Sequence, residues 1–196
     1  MIKLGYKFGN FIETTQTIYC LKKNFYFCKI MSEIIFREIK KNEIEQFEDL
    51  LYEAIFQPDE QHPIPRSVLK VPEVYAYIKD FGQSKDDYCL VAEANEKIVG
   101  AVWVRILSGK IKGYGNVDNK TPEFAISLFK EFRRQGIGTK LMSKMIEHLR
   151  KSGYAQTSLS VQKENYAVHL YKKLGFEIIA ENNEDYLMLL KLNFPI

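Results

Sequence analysis

Residues 129–141 read FKEFRRQGIGTKL, and this segment sets two adjacent arginines, Arg133 and Arg134, just ahead of two glycines, Gly136 and Gly138. The pattern suits anion binding. A helix start leaves backbone N–H groups without partners and carries partial positive charge, so a phosphate placed there meets donors and field together. Gly136 and Gly138 let a ligand approach the chain closely, and each guanidinium can hold two phosphate oxygens at once. Two better-known glycine loops do not fit. The P-loop separates its glycines by four residues, whereas Ile137 alone separates these. The dinucleotide fingerprint needs a third glycine three positions after the second, where Leu141 stands.

What remains is Arg-x-x-Gly-x-Gly, Arg133 to Gly138. A second ordered segment follows at 159–179, LSVQKENYAVHLYKKLGFEII, which reads as a strand, an Asn-led helix and a glycine. Asn165, Ala167, Leu170, Tyr171, Leu174, Gly175 and Phe176 are its marked positions, one helix and one strand downstream of the first segment. The two segments in this order resemble the GNAT superfamily of acyl-coenzyme A dependent N-acetyltransferases. The likeness covers roughly residues 33–192 in outline and is specific between about 123 and 176.

The resemblance implies direct attack of an amine on the thioester of acetyl-coenzyme A. Such a reaction needs a deprotonated amine, a stabilised oxyanion and a proton for the leaving thiolate. In this chain it implies Glu123 as the base that acts through water, the alternative being a surface or loop-anchoring glutamate. It implies Tyr171 as the acid that protonates the thiolate, the alternative being a core aromatic with a satisfied hydroxyl. Backbone groups of Leu128 and Lys130 would meet the oxyanion and the pantetheine arm, although Lys130 stands where the family often has proline. Arg133, Arg134, Gln135, Gly136, Ile137, Gly138 and Thr139 would form the pyrophosphate cradle. Asn165 reads both as a helix N-cap and, through the resemblance, as a coenzyme contact. Lys172, Lys173 and Gly175 fit a helix C-terminus without any ligand.

These residues require a scaffold. Residues 34–39 alternate as a strand, and Asn42 then precedes Ile44, Phe47, Leu50, Leu51 and Ile55 at helical spacing. Pro58, Pro63, Pro65 and Pro72 punctuate the next stretch, before a short helix through Val74, Tyr75, Ile78 and Phe81 that ends near Gly82. Residues 88–94 and 97–106 flank Asn95 and Glu96 as a hairpin, and a glycine-bearing loop runs from 108 to 122. A central strand at 124–129 leads to a helix with Ile137, Leu141, Met142, Met145, Ile146 and Leu149 on its buried face, stopped by Gly153. A strand at 157–161, a helix at 165–174 and a strand at 186–192 complete the order. The expected fold is α/β, a single GNAT-like domain with a mixed central sheet flanked by helices.

The formal net charge of +3 lies mostly at the N-terminus. Residues 1–31 hold five lysines against Glu13, a net of +4, which leaves −1 for the rest. A nucleic-acid-binding face therefore has no bulk electrostatic support, and no nucleic-acid partner is expected. No membrane span is visible. Cys20, Cys28 and Cys89 lack metal-ligand spacing, and His62, His148 and His169 are scattered toward surface positions, so neither a metal site nor a Ser-His-acid triad is expected. A reducing cytoplasm is the simplest location. Met31 heads a plausible first strand, so 31–196 is expected as the acetyltransferase domain. Residues 1–30 form an N-terminal extension that is either natural or extraneous.

The function expected is acetyl transfer from acetyl-CoA to a primary amine of a small molecule or peptide, by a monomer or homodimer. The rival is a non-catalytic acyl-CoA-binding regulatory module. Tyr75, Tyr77, Phe81, Tyr114, Asp80 and Asp118 lie in segments that border the acceptor in the family, and their types select no particular amine.

Overall fold

The computed structural model describes residues 33–192. The Met31 start, Cys20 and Cys28 lie outside the described residues. Strands β1 (Ile35–Glu38), β2 (Tyr88–Ala94), β3 (Lys97–Arg105), β4 (Glu123–Leu128), β5 (Gln156–Gln162), β6 (Glu177–Glu181) and β7 (Asp185–Lys191) form one sheet in the order β1-β2-β3-β4-β5-β7-β6. All neighbours are antiparallel except β4 and β5, which run parallel with helix α3 (Ile137–Lys151) between them. This is the mixed α/β sheet expected. Helices α1 (Phe47–Ala54), α2 (Pro72–Tyr75) and α4 (Ala167–Lys173) complete the flanks.

Strand residues alternate between two cores because successive side chains point to opposite faces. Leu90, Ala92, Val102, Val104 and Phe124 pack with Leu141, Met142, Met145 and Leu149 of α3. Cys89, Val91, Ala101 and Trp103 pack instead with Phe47, Leu50 and Leu51 of α1 and with Val74, Tyr77, Ile78 and Phe81. β3 is buried on both faces, which is why it reads as one apolar run, IVGAVWV. Asn95 and Glu96 both take positive φ, 49° and 61°, which closes the β2–β3 hairpin tightly.

Several expectations shift. The first helical stretch opens as a 3₁₀ turn, Lys41–Gln46, and becomes α-helical only at Phe47, where burial begins. The helix expected to reach Gly82 is α-helical only at Pro72–Tyr75 and continues as turns to Gly82, which takes φ 88°. The Asn-led helix begins at Ala167 rather than Asn165. β6 is an additional edge strand whose five residues are all exposed, with adjacent isoleucines and a register shift that hide any two-residue period. His148 is not simply a surface residue: it stacks on Tyr88 with ring centroids 3.5 Å apart, and burial lowers its pKa.

Gly100 of β3 sits where the backbone of β4 comes close. A Cβ there would stand 2.6 Å from the Ser127 carbonyl oxygen and collide with the Leu128 side chain. Gly100→Ala is therefore expected to destabilise the chain by about 1–3 kcal/mol through overpacking. Urea denaturation measures this, and an unchanged midpoint would contradict so tight a contact.

Candidate active site

β4 is paired on one edge and open on the other. Phe129 donates its N–H to the Val99 carbonyl at 3.0 Å, so 99 and 129 form a hydrogen-bonded pair next to the ladder. Antiparallel alternation then gives 127, 125 and 123 the same orientation and turns the backbone groups of Phe124, Ile126 and Leu128 toward β5. β5 meets β4 only at Glu123 and Ser158, where the Ser158 N–H donates to the Pro122 carbonyl at 3.0 Å. Beyond that point the strands part. The N–H and C=O of Ile126 and the N–H of Leu128 thus have no strand partner. The Leu128 carbonyl accepts instead from Arg133 Nε at 2.8 Å. An extended ligand with amides of its own can pair along this edge as an added strand does.

The segment after β4 leads from that edge to the start of α3. Lys130–Phe132 form a 3₁₀ turn, the Lys130 carbonyl accepts the Arg133 N–H at 3.3 Å, and Lys130 Nζ pairs with Glu60. Arg133 also pairs with Glu53 at 2.9 Å, so its guanidinium ties the loop to β4 and to α1. Gln135 donates to the Glu131 carbonyl at 2.7 Å. Arg134 is exposed and has no hydrogen bond or ion pair among the described residues.

Arg134 and Gly136 both adopt left-handed φ, 60° and 78°. The glycine does so freely, whereas the arginine is strained. The first amide bonded back into the helix is that of Lys140, to the Gly136 carbonyl at 3.1 Å. Among the described residues the N–H groups of 134–139 have no backbone acceptor, and no side chain caps α3. Space in front of them is open, for a Cβ on Gly136 would meet nothing within 4 Å. Gly138 is needed for packing: a Cβ there would lie 3.2 Å from Leu128 and 3.9 Å from Ile126 and Leu170. The start of α3 thereby rests on the open part of β4 and on α4. Arg150 and Lys151 in the last turn of α3 complement its dipole at the other end.

Glu123 opens β4 fully buried, on the α1 and α2 face of the sheet. Its Oε2 accepts from the Tyr77 hydroxyl at 2.9 Å and from the Gly115 N–H at 3.0 Å. Its Oε1 has no partner among the described residues. Burial raises the carboxyl pKa, and the bonds from Tyr77 and Gly115, together with the nearby Asn116 side chain and the more distant Lys112 charge, oppose that rise only in part. The loop that encloses it is fastened to β5: Ser158 Oγ donates to the Gly115 carbonyl and Thr157 Oγ1 to the Pro122 carbonyl, both at 2.7 Å. Glu123 is therefore no surface residue.

Tyr171 lies on α4 toward the other face, with its ring centroid 6.0 Å from Phe176, which in turn meets Phe124 at 5.8 Å. Its hydroxyl has no hydrogen-bond partner among the described residues, and burial pushes its pKa well up. Asn165 Oδ1 accepts the Ala167 N–H at 2.9 Å, so it caps the start of α4. Its side-chain amide nitrogen has no partner among the described residues.

The structure thus brings Leu128, Arg133, Gln135, Gly136, Ile137, Gly138 and Thr139 into one continuous segment, with Arg134 projecting from it. It sets Glu123 and Tyr171 on opposite faces of the sheet. Glu53 and Glu60 did not stand out in the sequence, and Tyr77 stood there only as one of several aromatic residues in a segment that borders the acceptor in the family. Glu53 and Glu60 are 80 and 70 residues from their cationic partners, and nothing local marks such pairs. Among the described residues no cluster of His, Cys, Asp and Glu could hold a metal ion. No helix among them is long and apolar enough to cross a membrane.

Comparison with known proteins matches residues 45–176 to the acetyltransferase (GNAT) family. A protein of Methanocaldococcus jannaschii named as an uncharacterized N-acetyltransferase is 29% identical over 149 residues, 72% of this chain and 59% of that protein. The chain thus spans less than two thirds of that relative's length. An N-alpha-acetyltransferase of Sulfurisphaera tokodaii is 31% identical over 134 residues, 61% of this chain and 80% of that protein. Among solved structures, the PaiA N-acetyltransferase from Thermoplasma acidophilum in complex with coenzyme A shares the fold with a TM-score of 0.57 and 18% identity, over 81% of this chain and 99% of that one. The family match runs from just before α1 to Phe176, which takes in both the open edge of β4 and the capped start of α4: the chain belongs to the acetyltransferase (GNAT) family.

Proposed function

We propose that the chain transfers an acetyl group from acetyl-CoA to a primary amine of a small molecule or peptide by direct attack. The observation that carries this reading is the run of amides at 134–139 without a backbone acceptor among the described residues, continuous with the open edge of β4. These amides and Arg134 suit a pyrophosphate, and the free groups of Ile126 and Leu128 suit the two amides of a pantetheine arm. Asn165 has an amide nitrogen left for the same arm. Acetyl-CoA supplies an activated acyl carbon as thioester. The Leu128 N–H is the donor for the thioester oxygen as charge develops there.

Glu123 takes the proton from the acceptor ammonium, directly or through one water, at the unpaired Oε1. Tyr171 returns a proton to the departing sulfur. A phenol whose pKa is raised by burial keeps its proton across the working range, so Tyr171 is always in the donating form. The Sulfurisphaera tokodaii relative is named an N-alpha-acetyltransferase, which favours a peptide α-amine as acceptor over a side-chain amine.

Calorimetric titration of the chain with acetyl-CoA is expected to show binding, weakened about tenfold to a hundredfold in Arg134→Ala, whose guanidinium has no hydrogen bond or ion pair among the described residues to lose. Arg133→Ala would confuse the two effects. A folded wild-type chain that binds no acetyl-CoA would overturn the donor assignment.

Tyr171→Phe is expected to lower kcat by about 10²-fold or more while coenzyme binding persists. Thiol release in the presence of an amine or peptide library measures it. Unchanged turnover would remove the acid role, and binding without release in the wild-type chain would favour the non-catalytic module.

Glu123→Gln is expected to abolish the acid limb of the pH profile of kcat/KM and to change stability with a definite sign. The folded chain raises the Glu123 pKa above its unfolded value. Protonation therefore stabilises the fold fully below about pH 4.3, the unfolded value, and this contribution is lost as pH rises through the folded pKa. The amide variant, neutral throughout, should have a higher urea midpoint than wild type at pH 8 and nearly the same midpoint at pH 4. A lower midpoint at pH 8 would contradict an uncompensated buried carboxylate.

A further inference from the structure

We propose that Tyr77 is the positioning residue of the base: its hydroxyl holds Glu123 through Oε2, so that Oε1 alone is left to take a proton. The inference rests on Glu123 acting as the base. Tyr77 is itself buried, and its oxygen makes one close bond, 2.9 Å to Glu123 Oε2, with the Gly115 N–H farther off at 3.4 Å. A phenylalanine would fill the same core space without a hydroxyl to desolvate. Glu123 is the acceptor to which that hydroxyl donates.

The placement of Tyr77 is itself built. Trp103 Nε1 donates to the Tyr77 carbonyl at 3.1 Å. Two residues along β3, on the same face, one terminal nitrogen of Arg105 donates to the carbonyls of Ala76 at 2.8 Å and Lys79 at 2.7 Å. Asp87 fixes the rest of that guanidinium, with Nε and the other terminal nitrogen each 3.1 Å from a carboxylate oxygen. Trp103 and Arg105 are the register partners of Ala125 and Glu123. The strand next to the base thus grips the 76–79 turn by its backbone and presents the Tyr77 ring to the carboxylate. Gly113 leaves room for the pair, since a Cβ there would stand 2.7 Å from the Tyr77 oxygen and collide with Glu123 Oε2.

The charged and titratable groups around Glu123 are few. The 76–79 turn supplies Tyr77, β3 supplies Arg105 with its charge already taken by Asp87, the loop supplies Lys112 at longer range, and β5 supplies only Ser158 at the paired position. A donor to the ionised carboxylate lowers its pKa, so the Tyr77 hydroxyl governs the pH at which the base becomes active.

The test is the pH dependence of kcat/KM for the full chain with acetyl-CoA and an amine acceptor that it turns over. Tyr77→Phe should move the acid limb upward by about one to two pH units and leave KM for acetyl-CoA unchanged. Site-specific replacement of Tyr77 by 3-fluorotyrosine, a stronger donor of nearly the same shape, should move the limb downward and guards against a folding defect in the first variant. In a Glu123→Gln background Tyr77→Phe should cause no further loss. An acid limb unmoved in both Tyr77 variants, or an equal loss with and without Glu123, would overturn the positioning role. If Glu123→Gln itself keeps the limb, the base assignment falls first and takes this inference with it.

Discussion

The parting of β4 from β5 after one paired position is the constraint on which the rest of the site depends. A parallel strand pair would normally satisfy both edges of a central strand. Here β3 holds β4 from Glu123 to Leu128, while β5 touches only Glu123. The unpaired groups of Ile126 and Leu128 are polar and sit in the middle of a sheet. Such groups are costly unless water or a ligand meets them. The same opening lets Gly138 bring the start of α3 against Leu128, so the free amides of the helix continue the free edge of the strand.

Cationic side chains near the opening divide their work. Lys130 and Arg133 are engaged by Glu60 and Glu53, and Arg133 also occupies the Leu128 carbonyl. These are structural bonds between the loop, the strand and the segment around α1. Arg134, in its strained left-handed conformation, has no such bond among the described residues. Two adjacent arginines that look equivalent in the sequence therefore differ in what they can give up. The distinction comes from an acid 80 residues away.

How much the sequence disclosed follows the range of the interactions involved. The glycine-bearing start of α3 was legible because its arginines and glycines lie within a few residues, and the α/β order was legible because α3 and the β2–β3 hairpin have strong local periods. β6 was not, since a fully exposed edge strand leaves no alternation to read. Glu123 was legible as a position through family resemblance, but its burial, its unpaired oxygen and its bond to Tyr77, 46 residues away, come only from the fold. Tyr77 and Phe81 share a helical spacing that core packing alone explains, and both are buried as core residues. The one atom that sets Tyr77 apart is its hydroxyl.

Glu123 shows why that atom matters. An ionised carboxylate without exposure should be neutral or removed, because burial penalises its charge. Two donors to Oε2 offset part of that penalty, and the enclosing loop is fastened to β5 by Ser158 and Thr157, so the carboxylate cannot swing out to water. Had the fold merely needed to fill this space, both oxygens would be paired or an apolar side chain would stand here. One oxygen satisfied and one left bare is an arrangement that stability alone does not favour. The base role proposed for Glu123 gives that arrangement a use: a fixed side chain, a pKa above the ordinary carboxylate value, and one oxygen without a hydrogen-bond partner among the described residues.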